Sequence, residues 1–88
     1  MSAYNLELSR QAAKDLEKVY RSDRTLYQRF INAFNDIAKR PEQGKTLRGK
    51  LSGLYSHRMG SYRIIYEIHR HKLLVIILDL GHRKDVYR

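Results

Sequence analysis

The stretch Tyr55-Ser56-His57-Arg58-Met59-Gly60-Ser61-Tyr62-Arg63-Ile64-Ile65-Tyr66 leaves the chain little conformational choice. Two short strands can fold back on one another only around Gly60-Ser61. A glycine first in a two-residue loop is the signature of a type II′ hairpin, whose twist matches the flanking strands. Such a turn sets the register: Met59 opposite Tyr62, Arg58 opposite Arg63, Tyr55 opposite Tyr66. Because side chains alternate across a strand, each opposed pair shares a face. Two arginines therefore lie side by side, an arrangement that costs stability unless an anion bridges it.

Charge placement points the same way. The chain has 88 residues and a formal net charge of +9. Residues 1–44 hold eight Lys/Arg against six Asp/Glu, whereas residues 45–88 hold ten against three. The excess thus sits in the half that carries the hairpin, and such a field favours a polyanion: nucleic acid, an anionic membrane or an acidic protein segment. The chain is long enough for one small domain spanning 1–88. It contains no cysteine, which excludes a disulfide scaffold and a thiolate metal site and fits a reducing compartment. Met1 to Asn5 carries no secretory signal pattern, and the longest apolar run, Leu73–Leu78, is too short to cross a bilayer. A cytoplasmic protein is expected, with no membrane partner.

Before the hairpin, Tyr4 to Leu8 alternates as a strand. Ser9 is a good cap for a first helix with Ala13, Leu16 and Val19 or Tyr20 inward. Asp23 can cap a second, whose stripe is Leu26, Phe30, Ala33 and Ile37, flanked by Tyr27 and Phe34. Pro41 ends that helix near Arg40. Glu42 to Gly53 reads as a loop in which Lys45, Arg48 and Lys50 either touch a nucleic-acid backbone or decorate a connector. After the hairpin, His69 to Lys72 is a polar turn. Leu73–Leu78 is a strand covered on both faces, hence central, and Gly81 ends it. The sum is an α+β domain: an antiparallel sheet of one N-terminal strand and a three-stranded meander, with an antiparallel helix pair on one face.

On the hairpin, Tyr55, His57, Met59, Tyr62, Ile64 and Tyr66 form the side that suits the helices, and His57 is a core histidine rather than a catalyst. Ser56, Arg58, Arg63, Ile65 and Glu67 form the other, with Ser56 lining the surface of Arg58 and Glu67 anchoring a nearby cation. Near the end, Arg83 and Tyr87 project together if they share a helical turn. Gly81 lets them swing toward Arg58 and Arg63, with His82 close by. Three guanidiniums suit phosphate, and a phenol suits base stacking or proton exchange. The four histidines have no carboxylate cluster to complete a metal shell. No Walker loop or Ser-His-Asp set appears, so neither metal nor cofactor is expected.

The string Leu54 to Ile68, followed by Gly81-His82-Arg83-Lys84-Asp85-Val86-Tyr87, resembles the RelE/ParE superfamily of toxins over essentially the whole chain. Arg83 with Tyr87 favours the RelE-like branch. The resemblance implies a ribosome-dependent endoribonuclease that cuts mRNA in the A site and inhibits translation. Arg63 would hold the scissile phosphate, Arg83 would stabilise the transition state, and Tyr87 would stack on or activate the nucleotide. Arg58 matches a basic position of the motif. Ser56 stands where RelE-like toxins carry a lysine, which leaves His82 as the substitute proton donor or acceptor. The resemblance also implies a cognate acidic antitoxin in a hetero-oligomer. A ParE-like gyrase inhibitor and an inactive, antitoxin-binding protein are the alternatives.

Overall fold

The computed structural model describes residues 3–82, and at His82 the backbone alone. The chain runs β1 (Asn5–Leu8), α1 (Arg10–Ser22), α2 (Arg24–Lys39), β2 (Lys45–Thr46), β3 (Tyr55–Met59), β4 (Tyr62–His69) and β5 (Leu74–His82). Short 3-10 turns fall at Pro41–Gln43, Gly49–Leu51 and Arg70–Lys72. The five strands form one sheet in the order β1-β5-β4-β3-β2. Both helices lie against one face, so the α+β class is as expected.

The helix boundaries reflect capping chemistry. The Ser9 side chain accepts from the Ala12 amide and that of Asp23 from the Leu26 amide, each satisfying an otherwise orphaned donor. Helix α2 stops at Lys39, just before Arg40-Pro41, since a residue preceding proline is pushed out of the helical region. Phe30, Ala33, Phe34 and Ile37 are buried in the core with Ile64, Tyr66, Val75 and Ile77 of the sheet. On α1 the inward residue is Ala12, at 0 % exposure, rather than Ala13. Ala12, Leu16 and Val19 stand at steps of four and three, as regular a stripe as Ala13, Leu16 and Tyr20, and the packing of α1 on the sheet selects the first.

The sheet differs from the expectation in three respects. First, β1 pairs with β5 in parallel, Asn5 opposite Leu74 through Leu8 opposite Ile77, so the sheet is mixed. Second, Lys45–Thr46 is a strand on the outer edge of β3, not loop. Third, β5 continues through Gly81 to His82 and holds a bulge. β5 is interior, between β1 and β4, but the helices cover only one of its faces: Val75 and Ile77 are buried, while Leu74, Ile76 and Leu78 are partly exposed.

The bulge decides which side chains of β5 reach the core. Ile65 pairs with Asp79 and Tyr66 with Ile77, which leaves Leu78 without an opposite number. One extra residue reverses the alternation. Val75, Ile77 and then Leu80 all enter the core; strict alternation would have sent Asp79 there instead. The Leu78 carbonyl, set apart from the ladder, accepts a 2.8 Å hydrogen bond from the Ser9 hydroxyl, and the Ser9 amide donates to Ile77 O at 2.8 Å. One serine therefore caps α1 and ties it to the bulge. Asp79 stays half-buried, and its carboxyl is pushed up, first by burial and then by the Asp15 carboxylate.

Ser9→Ala should lower stability by about 2 kcal/mol, the upper range for losing a cap, because it also strands a strand carbonyl; urea unfolding reads this. Since the folded-state pKa of Asp79 is raised, ionising it opposes folding. Asp79→Asn should unfold like wild type at pH well below the ordinary aspartate value. It should become the more stable protein as pH rises above that value. Equal stability at every pH would contradict the burial of this carboxyl.

Candidate nucleic-acid interface

The hairpin register is the one expected: Arg58 opposite Arg63, Met59 opposite Tyr62, Tyr55 opposite Tyr66. Gly60 has φ +60° and Ser61 is not left-handed, the combination of a type II′ rather than a type I′ turn. The Gly60 α-carbon also faces the Arg29 guanidinium so closely that a β-carbon would stand 2.7 Å from it. Ile64 and Tyr66 go into the core with Tyr55, Met59 and Tyr62 packed around them. Alternation then turns Arg58 and Arg63 to the face without helices. Arg58 is exposed, and Arg63 is half-buried.

Strand β2 builds the rest of the site. It places Lys45 opposite Ser56 and Thr46 opposite Tyr55. The chain then continues through Leu47 and Arg48, and a cleft of about 550 Å3 opens between this segment and β4, lined by Lys45, Thr46, Leu47, Arg48 and Arg63. Among the described residues its lining holds three cations and no acid. The nearby Glu42 is engaged elsewhere, by Arg70 Nε at 3.3 Å and the Tyr4 hydroxyl at 3.4 Å. A cationic cleft of this kind suits an anionic ligand.

The cleft wall is held by a buried phenol. Tyr66, at 1 % exposure, stacks on Tyr55 with ring centroids 5.7 Å apart. Its hydroxyl donates to Pro41 O at 2.6 Å and accepts from the Gly44 amide. Burial, then the neighbouring Tyr55, pushes its pKa up to about 12, so the hydroxyl stays a donor at any working pH. Gly44 is required here by proximity: a β-carbon would run into the Tyr66 hydroxyl and come within 3.2 Å of Ser56 O.

The structure thus brings Arg63, Lys45 and Arg48 together, with Arg58 beside Arg63 by register. Lys50, exposed on the Gly49–Leu51 turn, does not line the cleft. Ser56, expected at the surface, is buried at 3 % exposure, and Arg63 Nη1 donates to its hydroxyl at 3.4 Å. Strands β2 and β4 flank it, and Arg63 reaches across to it. His57 is half-buried on the opposite, helix side. There it lines a separate cleft of about 400 Å3 with Asp36, Lys39, Arg40 and Gln43. Burial lowers its pKa against the pull of the Asp36 carboxylate. Glu67 pairs with His69, Oε1 to Nε2 at 3.1 Å. On β5 the residue opposite Arg63 is Gly81, while the His82 backbone pairs with Tyr62. Arg83, Tyr87 and the His82 side chain lie outside the described residues. Thr46 and Leu47 join the site without a strong sequence signal; the β-branched Thr46 between Gly44 and Gly49 is the one hint of a strand there. Among the described residues no three His, Asp or Glu side chains gather as metal ligands, and no helix is long and apolar enough to cross a membrane.

Residues 6–87 match the family model for the ParE toxin of type II toxin–antitoxin systems. The chain belongs to the RelE/ParE toxin family. It is 37 % identical over 86 residues to toxin RelG of Mycobacterium tuberculosis, covering 97 % of each chain. Toxin RelE of the same organism is 31 % identical, covering 97 % of this chain and 87 % of the relative. Among solved structures, the RelBE2 toxin–antitoxin complex of M. tuberculosis has a chain that superposes with TM-score 0.79 at 35 % identity, covering 92 % of this chain and 99 % of that one. The intact E. coli RelBE complex gives 0.75 at 25 % identity, covering 91 % and 96 %. This toxin therefore shares the RelE/ParE architecture along nearly its whole length.

Gly44→Ala should force the Tyr66 hydroxyl away from Pro41 O and lower stability by about 1–3 kcal/mol, the range for a buried polar group left unsatisfied. Thermal unfolding checks it. Gly49→Ala, with nothing within 4 Å of its added carbon, should cost only what its left-handed φ of +69° imposes.

Proposed function

We propose that this toxin is a metal-independent, ribosome-dependent endoribonuclease that cuts mRNA in the A site and so stops translation. The observation that carries the reading is the cleft in which Lys45, Arg48 and Arg63 converge, with no acid among the described residues of the lining. RNA brings its own nucleophile, so the protein has only to place the phosphate, stabilise charge and move two protons. In the proposed reaction the 2′-hydroxyl attacks the adjacent phosphorus as its proton is removed. The bond from phosphorus to the 5′-oxygen breaks, and that oxygen is protonated. The products are a 2′,3′-cyclic phosphate and a 5′-hydroxyl end.

Arg63 holds the scissile phosphate, and Arg83 stabilises the charge that grows on its oxygens. Tyr87 stacks on or activates the nucleotide. His82 gives or takes a proton, a role suited to a group titrating near neutrality. Arg58, Arg48, Lys45 and Lys50 attract the RNA backbone. Regulation comes from a cognate antitoxin, which the RelBE2 and RelBE complexes support by analogy. An acidic segment of it would cover the cationic face and form a hetero-oligomer in the cytoplasm.

The ParE name of the matching family model keeps a second reading in view, inhibition of DNA gyrase. Primer extension on mRNA with purified ribosomes separates the two. Discrete cuts within A-site codons are expected; an uncut message together with blocked DNA supercoiling would establish the gyrase reading instead. Arg83→Ala and Arg63→Ala should each keep the fold and slow cleavage at least ~100-fold, the loss typical of removing one transition-state donor. Wild-type cleavage by both would rule out these roles.

A further inference from the structure

Apart from the Tyr66 phenol, Ser56 is the only buried polar side chain among the described residues. Serine is usually exposed, and a covered hydroxyl is costly without a partner. Here the partner is the guanidinium of Arg63, whose Nη1 donates to Ser56 Oγ at 3.4 Å across the hairpin. Ser56 is opposite Ile65 on β4 and opposite Lys45 on β2. It is therefore held by ladders on both sides, next to the cleft but not in its lining. A hydroxyl placed so has one geometric consequence. It engages one arm of the guanidinium, and the planar fork then has a preferred tilt toward the cleft lined by Lys45, Thr46, Leu47 and Arg48. Serine also does this without charge, where any basic side chain would add a further cation between Arg63 and Lys45.

We propose that Ser56 is a positioning residue: its buried hydroxyl orients Arg63 and thereby sets where an RNA phosphate rests in the cleft. The inference rests on reading Arg63 as the phosphate-binding residue and assigns Ser56 no contact with RNA. At 3.4 Å the bond is long for N–H···O and correspondingly weak, so it biases the guanidinium rather than locking it.

The test is a double-mutant cycle on the full chain with Ser56→Ala, Arg63→Ala and the pair. Two readouts are needed: single-turnover mRNA cleavage on saturating ribosomes, and binding of a 2′-O-methylated RNA oligonucleotide that cannot be cut. Ser56→Ala should slow cleavage roughly tenfold, the low end for a hydrogen bond to a charged group. In the Arg63→Ala background it should change neither readout. Ser56→Thr, which retains the hydroxyl, should recover most of the rate. Equal losses with and without Arg63, or a threonine variant that melts like wild type yet cuts like the alanine variant, would overturn the proposal. A wild-type chain that cuts nothing would overturn the nuclease reading alone, because the cycle on oligonucleotide binding still decides the role of Ser56. The unaltered protein offers a further check by NMR: the Arg63 guanidinium should rotate more slowly about its Cζ–Nε bond than that of exposed Arg58. Equal rates would count against the orientation.

Discussion

Strand β4 has to satisfy two demands with one alternation. Ile64 and Tyr66 must enter the core beneath α2, and the residue immediately before Ile64 is then obliged to face outward. That residue is Arg63. The one-sided core therefore places the principal cation of the site, and each device that protects the core also protects the cleft. Tyr66 shows the coupling most directly. Its ring fills the core while its hydroxyl reaches Pro41 and Gly44, at the head of the segment that carries Lys45 and Arg48. The core and the wall of the cleft share that side chain.

The same demand accounts for the opposed arginines. Arg58 and Arg63 repel one another across the hairpin, and Lys45 and Arg48 add to the repulsion. A small domain with one core has little stability to spare. The cost is held down by different means for each residue: exposure to water for Arg58, and the Ser56 hydroxyl for Arg63. What remains is a field that an anionic ligand or an acidic partner relieves. Binding should therefore stabilise the fold as well as occupy it.

Much of the fold was legible in local chemistry. Ser9, Asp23 and Pro41 mark helix ends because capping and proline sterics act within a few residues, and Gly60-Ser61 dictates its register for the same reason. What escaped depends on partners far along the chain. The parallel match of Asn5–Leu8 with Leu74–Ile77 spans almost the full sequence and has no local sign. Lys45–Thr46 is a strand only because β3 offers an edge. The inward position of Ala12 rather than Ala13 comes from how α1 meets β5. At the site, the cations Arg63, Lys45 and Arg48 were readable from charge and register. The burial of Ser56 was not, because nothing in Tyr55-Ser56-His57 announces that β2 will close over it.

The extra residue at Leu78 has a wider meaning. Downstream of it, odd and even positions of β5 exchange faces, and so Gly81 rather than a bulkier neighbour stands across from Arg63. The chain therefore uses a count, not a side chain, to set a glycine opposite Arg63. Pairing Leu78 into the ladder would leave composition, charge and motif untouched. It would nonetheless turn Asp79 inward, push Leu80 out and set Leu80 instead of Gly81 opposite Arg63. In this chain the residue count of β5 between core and site, as much as the identity of any side chain, decides what stands opposite Arg63.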